Sequence, residues 1–371
     1  MSRKLYILTS SRADYGIYRP LLQELSDDGS FDITMVVFGS HHPESAGTLK
    51  EIEQDAFFPY ELLKCFPESD APVEVARSFA RTTELFVDFW ERQKRGVVVA
   101  LGDRYEMCAA VLASVPFQMT IVHLHGGEDT FGAFDNVYRN AISGAARVHF
   151  VSAAAYGDRV KGIVGASADV VVTGSLAADA IKKITLLSRE ELFASCGVDF
   201  SAPTLLCTFH PETAHGASPL EDVVHVGEAL NSLLSSYQIV LTGPNADPLA
   251  QKAFEILLET LTGKERFYFI PHLGQRRYLS AMAYCSAVVG NSSSGFLEAC
   301  LFPRPVVNIG ARQRGRLVTP NIVNVPAQVS AIVEGVAKAV KQPASLPSTI
   351  YGDGKAAAKM VKHLKGLSHV D

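Results

Sequence analysis

Short apolar runs rich in β-branched residues recur along the chain, separated by amphipathic stretches of helical length. In the first half the runs are Lys4–Thr9, Ile33–Phe38, Val97–Leu101, Thr120–Leu124, Val148–Val151 and Val170–Thr173. In the second they are Thr204–Thr208, Gln238–Thr242, Phe267–Ile270, Ala287–Val289, Val306–Ile309 and Ile322–Val325. None alternates strictly with polar residues, which is the pattern of strands covered on both faces in a parallel sheet. The longest intervening stretch, Pro72–Arg95, repeats Val75, Phe79, Leu85, Phe86 and Phe89 on one helical face. Strand and helix patterns in alternation predict an α/β protein of two Rossmann-like, doubly wound domains, with six strands expected in each half.

The seam is expected near Gly174 to Ser188, which divides the chain into domains at 1–178 and 179–345. Pro343 to Pro347 reads as a second linker, leaving 346–371 for a terminal helix from Asp353 to about Leu367. Asp353 stands at the N-cap position, and Lys362, His363 and Lys365 suit the last turn.

Composition narrows the functional classes. The chain has 371 residues, 34 Lys plus Arg against 39 Asp plus Glu, a formal charge of −5 and 47% hydrophobic residues. Such a chain fills two cores without disulfides or structural metal, and it is neither disordered nor collagen-like. Slight acidity gives no general attraction to nucleic acid or anionic membrane, so an anionic ligand has to be held by local geometry. The six scattered cysteines form no metal or disulfide spacing. Leu5 to Leu8 is too short an apolar run for a signal-peptide core, and no stretch reaches the ~20 apolar residues of a membrane span. A cytoplasmic address is expected.

Candidate chemistry clusters immediately after the strands: Ser10-Ser11-Arg12-Ala13-Asp14, Gly39-Ser40-His41, Gly102-Asp103-Arg104, His125-Gly126-Gly127-Glu128, His210-Pro211-Glu212, Gly243-Pro244-Asn245, Gly290-Asn291-Ser292-Ser293-Ser294-Gly295 and Gly310-Ala311-Arg312-Gln313. Open α/β sheets bind ligands outside the carboxyl ends of their strands. If both sheets turn those ends toward each other, one interdomain cleft collects every motif. There is no G-x-G-x-x-G, no P-loop and no Asp-x-Asp pair. A phosphate ligand is therefore expected to meet Arg, His and helix N-termini, with no metal and no cofactor.

Each feature also has an ordinary reading. Three serines at Ser292–Ser294 exceed what one N-cap needs and favour an anion, with Asn291 and Glu298 beside it for ribose hydroxyls. Arg12, between the first strand and a helix, suits a phosphate; Arg314 reads as a solvated loop residue. Asp135 and Arg139 are spaced for an i,i+4 pair, worth a few tenths of a kcal/mol on its own. Asp103, Glu128 and Asp135 with Arg104 and Arg139 at one sheet edge point instead to acid–base chemistry. His123 and His125 are expected to alternate on a strand in core or hydrogen-bonding roles. His210, held extended by Pro211, is a fixed donor or a structural histidine.

Taken together, these motifs resemble the hydrolysing UDP-N-acetylglucosamine 2-epimerases of sialic-acid and related nonulosonic-acid synthesis. The likeness runs through Ser11–Gly16, Gly39-Ser40-His41, Leu101-Gly102-Asp103-Arg104, Gly126-Gly127-Glu128, Asp135 with Arg139, His210-Pro211, Gly290–Ser293 with Glu298, Asn308-Ile309-Gly310 and Arg312–Arg316. It implies the GT-B architecture with a C-terminal helix packing back toward the first domain. It implies UDP contacts from Arg12, Arg104, His210, Asn245, Ser292, Ser293, Glu298 and Arg312. It implies catalytic roles for Asp103, Glu128, Asp135, Arg139 and His210. The family pattern carries histidine after the arginine matching Arg139; here it is Asn140, which cannot transfer protons. The implied reaction expels UDP, removes the proton on carbon 2 to give a 2-acetamidoglucal, and hydrates it to the free 2-epimer, N-acetylmannosamine for the simplest substrate. Substituents at carbons 4 and 6 stay open. The rivals are a non-hydrolysing 2-epimerase, a GT-B glycosyltransferase and a non-enzymatic UDP-sugar sensor. By analogy with the family, a homodimer or tetramer is expected.

Overall fold

The computed structural model describes residues 3–41, 48–65, 72–129, 135–212, 219–243, 250–302, 304–342 and 347–367. The chain divides into two units: residues 1–128, 134–182 and 350–371 form unit 1, and residues 129–133 and 183–349 form unit 2.

Unit 1 runs β1 (Arg3–Thr9), α1 (Arg12–Asp28), β2 (Phe31–Val37), α2 (Thr48–Asp55), β3 (Tyr60–Leu62), α3 (Pro72–Glu91), β4 (Val97–Leu101), α4 (Tyr105–Ser114), β5 (Thr120–Leu124), α5 (Asp135–Ala145), β6 (Val148–Val151), α6 (Ala154–Val164), β7 (Asp169–Val172) and α7 (Leu176–Lys183). Its sheet has strand order β3-β2-β1-β4-β5-β6-β7, with every pairing parallel. Successive β1 residues feed opposite cores. Leu5 and Ile7 pack with Tyr15, Tyr18 and Leu22 of α1, while Tyr6 and Leu8 pack with Phe86, Phe89 and Trp90 of α3. Tyr6 meets Trp90 edge-on at 5.3 Å.

Unit 2 runs α8 (Arg189–Cys196), β8 (Thr204–Thr208), α9 (Pro219–Leu233), β9 (Gln238–Thr242), α10 (Ala250–Leu261), β10 (Phe267–Ile270), α11 (Gly274–Tyr284), β11 (Ala287–Gly290), α12 (Ser294–Leu297), β12 (Val306–Ile309), β13 (Ile322–Val325) and α13 (Val329–Lys341). Its parallel order is β10-β9-β8-β11-β12-β13. Leu205 and Cys207 enter the core under α9, α10 and α13, and Leu206 the one under α8 and α11. These are the two doubly wound domains of the GT-B class of fold.

The chain then returns to unit 1 as α14 (Ala356–Gly366). Ala357, Met360, Val361 and Leu364 join the core built on α1. Asp353 does not cap this helix. Asp179 of α7, buried, accepts from the amides of Ala356 at 2.9 Å and Ala357 at 2.8 Å, while Asp353 pairs with Lys359 at 3.0 Å. Because Asp179 satisfies two otherwise orphaned helix-start donors, Asp179→Ala is expected to cost about 1–3 kcal/mol. Trp90 is the single tryptophan and lies in the unit 1 core, so urea unfolding followed by its fluorescence checks this; an unchanged midpoint contradicts it.

Two further corrections concern elements. Unit 1 has a seventh strand, β3, a three-residue edge strand. The helix expected to reach Arg95 ends at Glu91. Among the described residues no helix is long and apolar enough to cross a membrane.

Candidate active site

The carboxyl ends of β1, β4 and β5 bring together a cluster of ionisable side chains of unit 1. Asp103, after β4, forms an ion pair with Arg139 of α5. The other arm of the same guanidinium donates to the His125 carbonyl at 2.6 Å. Arg139 is buried, and it spends its contacts across the sheet ends instead of on an i,i+4 pair with Asp135. Asp135 nonetheless feels this neighbourhood: burial raises its carboxyl above the ordinary carboxylate range, and the negative charge of Asp103 raises it further.

His125 does not lie on the strand. β5 ends at Leu124, and His125 turns into the left-handed region at φ +63°, a conformation that costs a non-glycine residue roughly 1–3 kcal/mol. Gly127, at φ +75°, completes the turn; a Cβ there would lie 2.2 Å from the Tyr156 carbonyl oxygen. The turn folds Glu128 back so that one carboxylate oxygen accepts from His125 Nδ1 at 2.7 Å and from Ser152 Oγ at 2.8 Å. His123 is fully buried between Ser143 Oγ at 3.0 Å and the Gly102 carbonyl at 2.8 Å. Burial pushes its ring down to about 3, so it is a neutral structural histidine.

On the β1 side, Arg104 reaches the fully buried Glu106 at 2.9 Å and Ser40 at 3.2 Å. Burial opposes its charge, but Glu106 raises its affinity for the proton. Asp14 is buried and accepts from Ser10 Oγ at 2.6 Å; burial raises its carboxyl despite that bond. Arg12 points outward with its side chain 69% exposed and pairs with Glu51 at 2.5 Å.

In unit 2 the corresponding end is organised by Asn291, fully buried after β11. Its side chain accepts from the His210 amide and donates to the His210 carbonyl, both at 2.8 Å. Arg312 and Gln313 donate to the Asn291 carbonyl at 3.3 and 2.9 Å. Glu212 accepts from the amides of Ala311 and Arg312 at 2.7 and 3.1 Å. His210, Asn291 and Arg312 are therefore joined in one hydrogen-bonded assembly. The serine run opens a helix of only four residues, and Ser292 and Ser294 bond each other at 3.0 Å beneath Tyr278. Arg314 is exposed. Asn245 lies outside the described residues.

Glu298 follows α12, and burial pushes its carboxyl up to about 7. The unfolded chain loses this proton near the ordinary 4.5 while the folded chain keeps it to about 7. The folded state thus binds more protons in that window, and stability falls as pH rises across it. Glu298→Gln is expected to flatten that slope. Urea midpoints of both proteins between pH 5 and 8 test it, and parallel curves would refute it.

The sequence groups Asp103, Glu128, Asp135, Arg104 and Arg139, gives His125 a hydrogen-bonding role and sets Asn291 beside the serine run. Ser152 and Glu106 carry no local signal, and the bonds of Asn291 to His210 come from an adjacent strand 81 residues away. Among the described residues no group of three His, Cys, Asp or Glu side chains is arranged to hold a metal ion.

Two Rossmann-type units, each built on an all-parallel sheet with ionisable clusters at its strand ends, define the class as a GT-B-type fold. A family model for UDP-N-acetylglucosamine 2-epimerase matches residues 23–365, and the chain belongs to that family. It is 32% identical over 327 residues to the GDP/UDP-N,N'-diacetylbacillosamine 2-epimerase (hydrolyzing) of Campylobacter jejuni, covering 87% of this chain and 84% of the relative. It is 30% identical to the UDP-N,N'-diacetylbacillosamine 2-epimerase (hydrolyzing) of Legionella pneumophila, over 99% and 97% of the two chains. The crystal structure of UDP-GlcNAc 2-epimerase from Neisseria meningitidis bound to UDP-GlcNAc has a TM-score of 0.79, with 17% identity over 98% of this chain and all of the other.

Proposed function

We propose that the protein is a hydrolysing 2-epimerase that converts a UDP-linked 2-acetamido sugar and water to UDP and the free 2-epimer. The observation that carries this reading is the hydrogen-bonded array of Asp103, Arg139, His125, Glu128 and Ser152 at the strand ends of unit 1, in a chain similar to two proteins named hydrolysing 2-epimerases. Because those relatives are named for UDP-N,N'-diacetylbacillosamine, that sugar is the first candidate and UDP-N-acetylglucosamine, giving N-acetylmannosamine, the second.

The proton on carbon 2 is weakly acidic until positive charge grows on carbon 1, so expulsion of UDP and removal of the proton proceed together. Negative charge on departing UDP needs fixed donors. His210, Ser292, Ser293 and Arg312, with Asn245, supply them in unit 2, and Arg12 and Arg104 in unit 1; Glu298 takes ribose hydroxyls. Asp103 and Glu128 carry the proton transfers, tuned by Asp135 and Arg139. Asn140 takes no proton.

Incubation with each UDP-sugar alone, followed by NMR of the products, tests the reading. UDP plus a free 2-epimer is expected. A mixture of two intact UDP-sugars would instead mark a non-hydrolysing epimerase, and unchanged substrate a transferase or a sensor.

A further inference from the structure

His125 is fixed from three sides. Its amide donates to the Phe150 carbonyl at 3.0 Å, its carbonyl accepts from Arg139 at 2.6 Å, and its Nδ1 meets Glu128 at 2.7 Å. A carboxylate oxygen only accepts, so Nδ1 carries the hydrogen and Nε2 of the neutral ring is a bare acceptor. That nitrogen is buried and has no hydrogen-bond partner among the described residues. Buried polar atoms are nearly always bonded, and an exception calls for a role. The side chain is 12% exposed, and the backbone that presents it is left-handed. A nucleophile- or proton-handling group oriented by a base, itself oriented by a third group, has this layout; here Ser152 orients Glu128 and Glu128 orients the ring. The other ionisable groups on the elements that meet there include His123 on β5, Asp135, Tyr138 and Arg139 on α5, Asp103 after β4, His149 on β6, and Tyr156 and Arg159 on α6, the last donating to the Gly127 carbonyl at 3.3 Å.

We infer that His125 Nε2 is the atom that takes the carbon-2 proton, with Glu128 as its positioning and charge partner. This rests on the proposed hydrolysing reaction and refines the Glu128 side of it. The C2–H bond breaks, its electron pair becomes the C1=C2 double bond, and the C1–O bond leaves with its pair on UDP. The proton forms the imidazolium, held against the Glu128 carboxylate, and later passes to solvent. In the hydration step water's oxygen bonds carbon 1, and its proton reaches carbon 2 through a group on the opposite face.

The decisive variant is His125→Asn. Asparagine accepts left-handed backbone better than most residues, and its amide N–H replaces Nδ1 toward Glu128 while Nε2 is lost. With the best UDP-sugar, kcat is expected to fall about 10²–10⁴-fold with KM within a few-fold. The limb of the kcat/KM–pH profile that reports the base should vanish. His125→Gly, equally free at this φ, should regain turnover with added imidazole. Unfolding followed by Trp90 fluorescence controls for the fold. An Asn variant within tenfold of wild type, or a Gly variant that imidazole does not rescue, overturns the inference while leaving the hydrolysing reading intact. Wild-type protein that turns over no UDP-sugar overturns both.

Discussion

Asp103→Asn is expected to lower kcat by about 10²–10⁴-fold, the usual worth of a positioned acid or base, while leaving affinity for UDP within a few-fold. The substitution keeps the side chain's size and one acceptor oxygen but removes its charge. Two consequences follow from the geometry. The Arg139 guanidinium, buried in α5, loses its ion-pair partner, which for a buried pair costs about 3–5 kcal/mol of stability when one member goes. Asp103 is itself partly exposed, with 24% of its side chain accessible, so the observed loss should fall toward the lower end. In addition, Asp135 loses the neighbouring negative charge that helps raise its carboxyl. Its proton is then released at lower pH, and any alkaline limb of the rate profile that depends on that proton moves down in pH. Steady-state kinetics normalised to folded protein, with calorimetric titration of UDP, separate these effects. Turnover within threefold of wild type would remove Asp103 from the chemistry.

Gly290→Ala should give the largest stability loss of any single methyl addition in unit 2, on the order of 3–5 kcal/mol, from strained backbone and overpacking together. Gly290 closes β11 at φ +135°, and a Cβ there would lie 1.9 Å from the Thr208 carbonyl oxygen and 2.7 Å from its carbon. Both are backbone atoms of the paired strand β8, so no side-chain rotation relieves the clash. The strand ends must separate, and with them the bonds between Asn291 and His210. Hydrogen exchange is expected to speed up across β8 and β11 while Trp90 fluorescence in unit 1 keeps its wild-type midpoint. UDP affinity should fall with it. Unchanged exchange in β8 would refute the argument.

How much of this was legible in the sequence depends on the range of the interaction. Strands covered on both faces announce themselves as unbroken apolar runs, and Val97–Leu101, Thr120–Leu124 and Gln238–Thr242 coincide with β4, β5 and β9. Tyr60–Leu62 did not stand out because a three-residue edge strand follows Pro59 and carries Glu61 in its middle. The cap of α14 is not legible locally, because its acceptor, Asp179, is 177 residues from Ala356; local pattern sees only Asp353. Spacing alone offers Arg139 the i,i+4 partner Asp135; of the carboxylates grouped with it at the sheet edge, the one it pairs with is Asp103, at the neighbouring strand end. Alternation along β5 extends the strand one residue too far, to His125. The two glycines after it were the available sign that the strand had stopped.

The return of α14 to unit 1 makes unit 2, in chain order, an insertion between two parts of unit 1. During synthesis, residues 183–349 are all made before the helix that completes the hydrophobic core around Leu5, Ile7 and Leu22. Unit 2 can finish folding first, while the earlier-made half waits with one apolar face uncovered and in need of protection until α14 arrives.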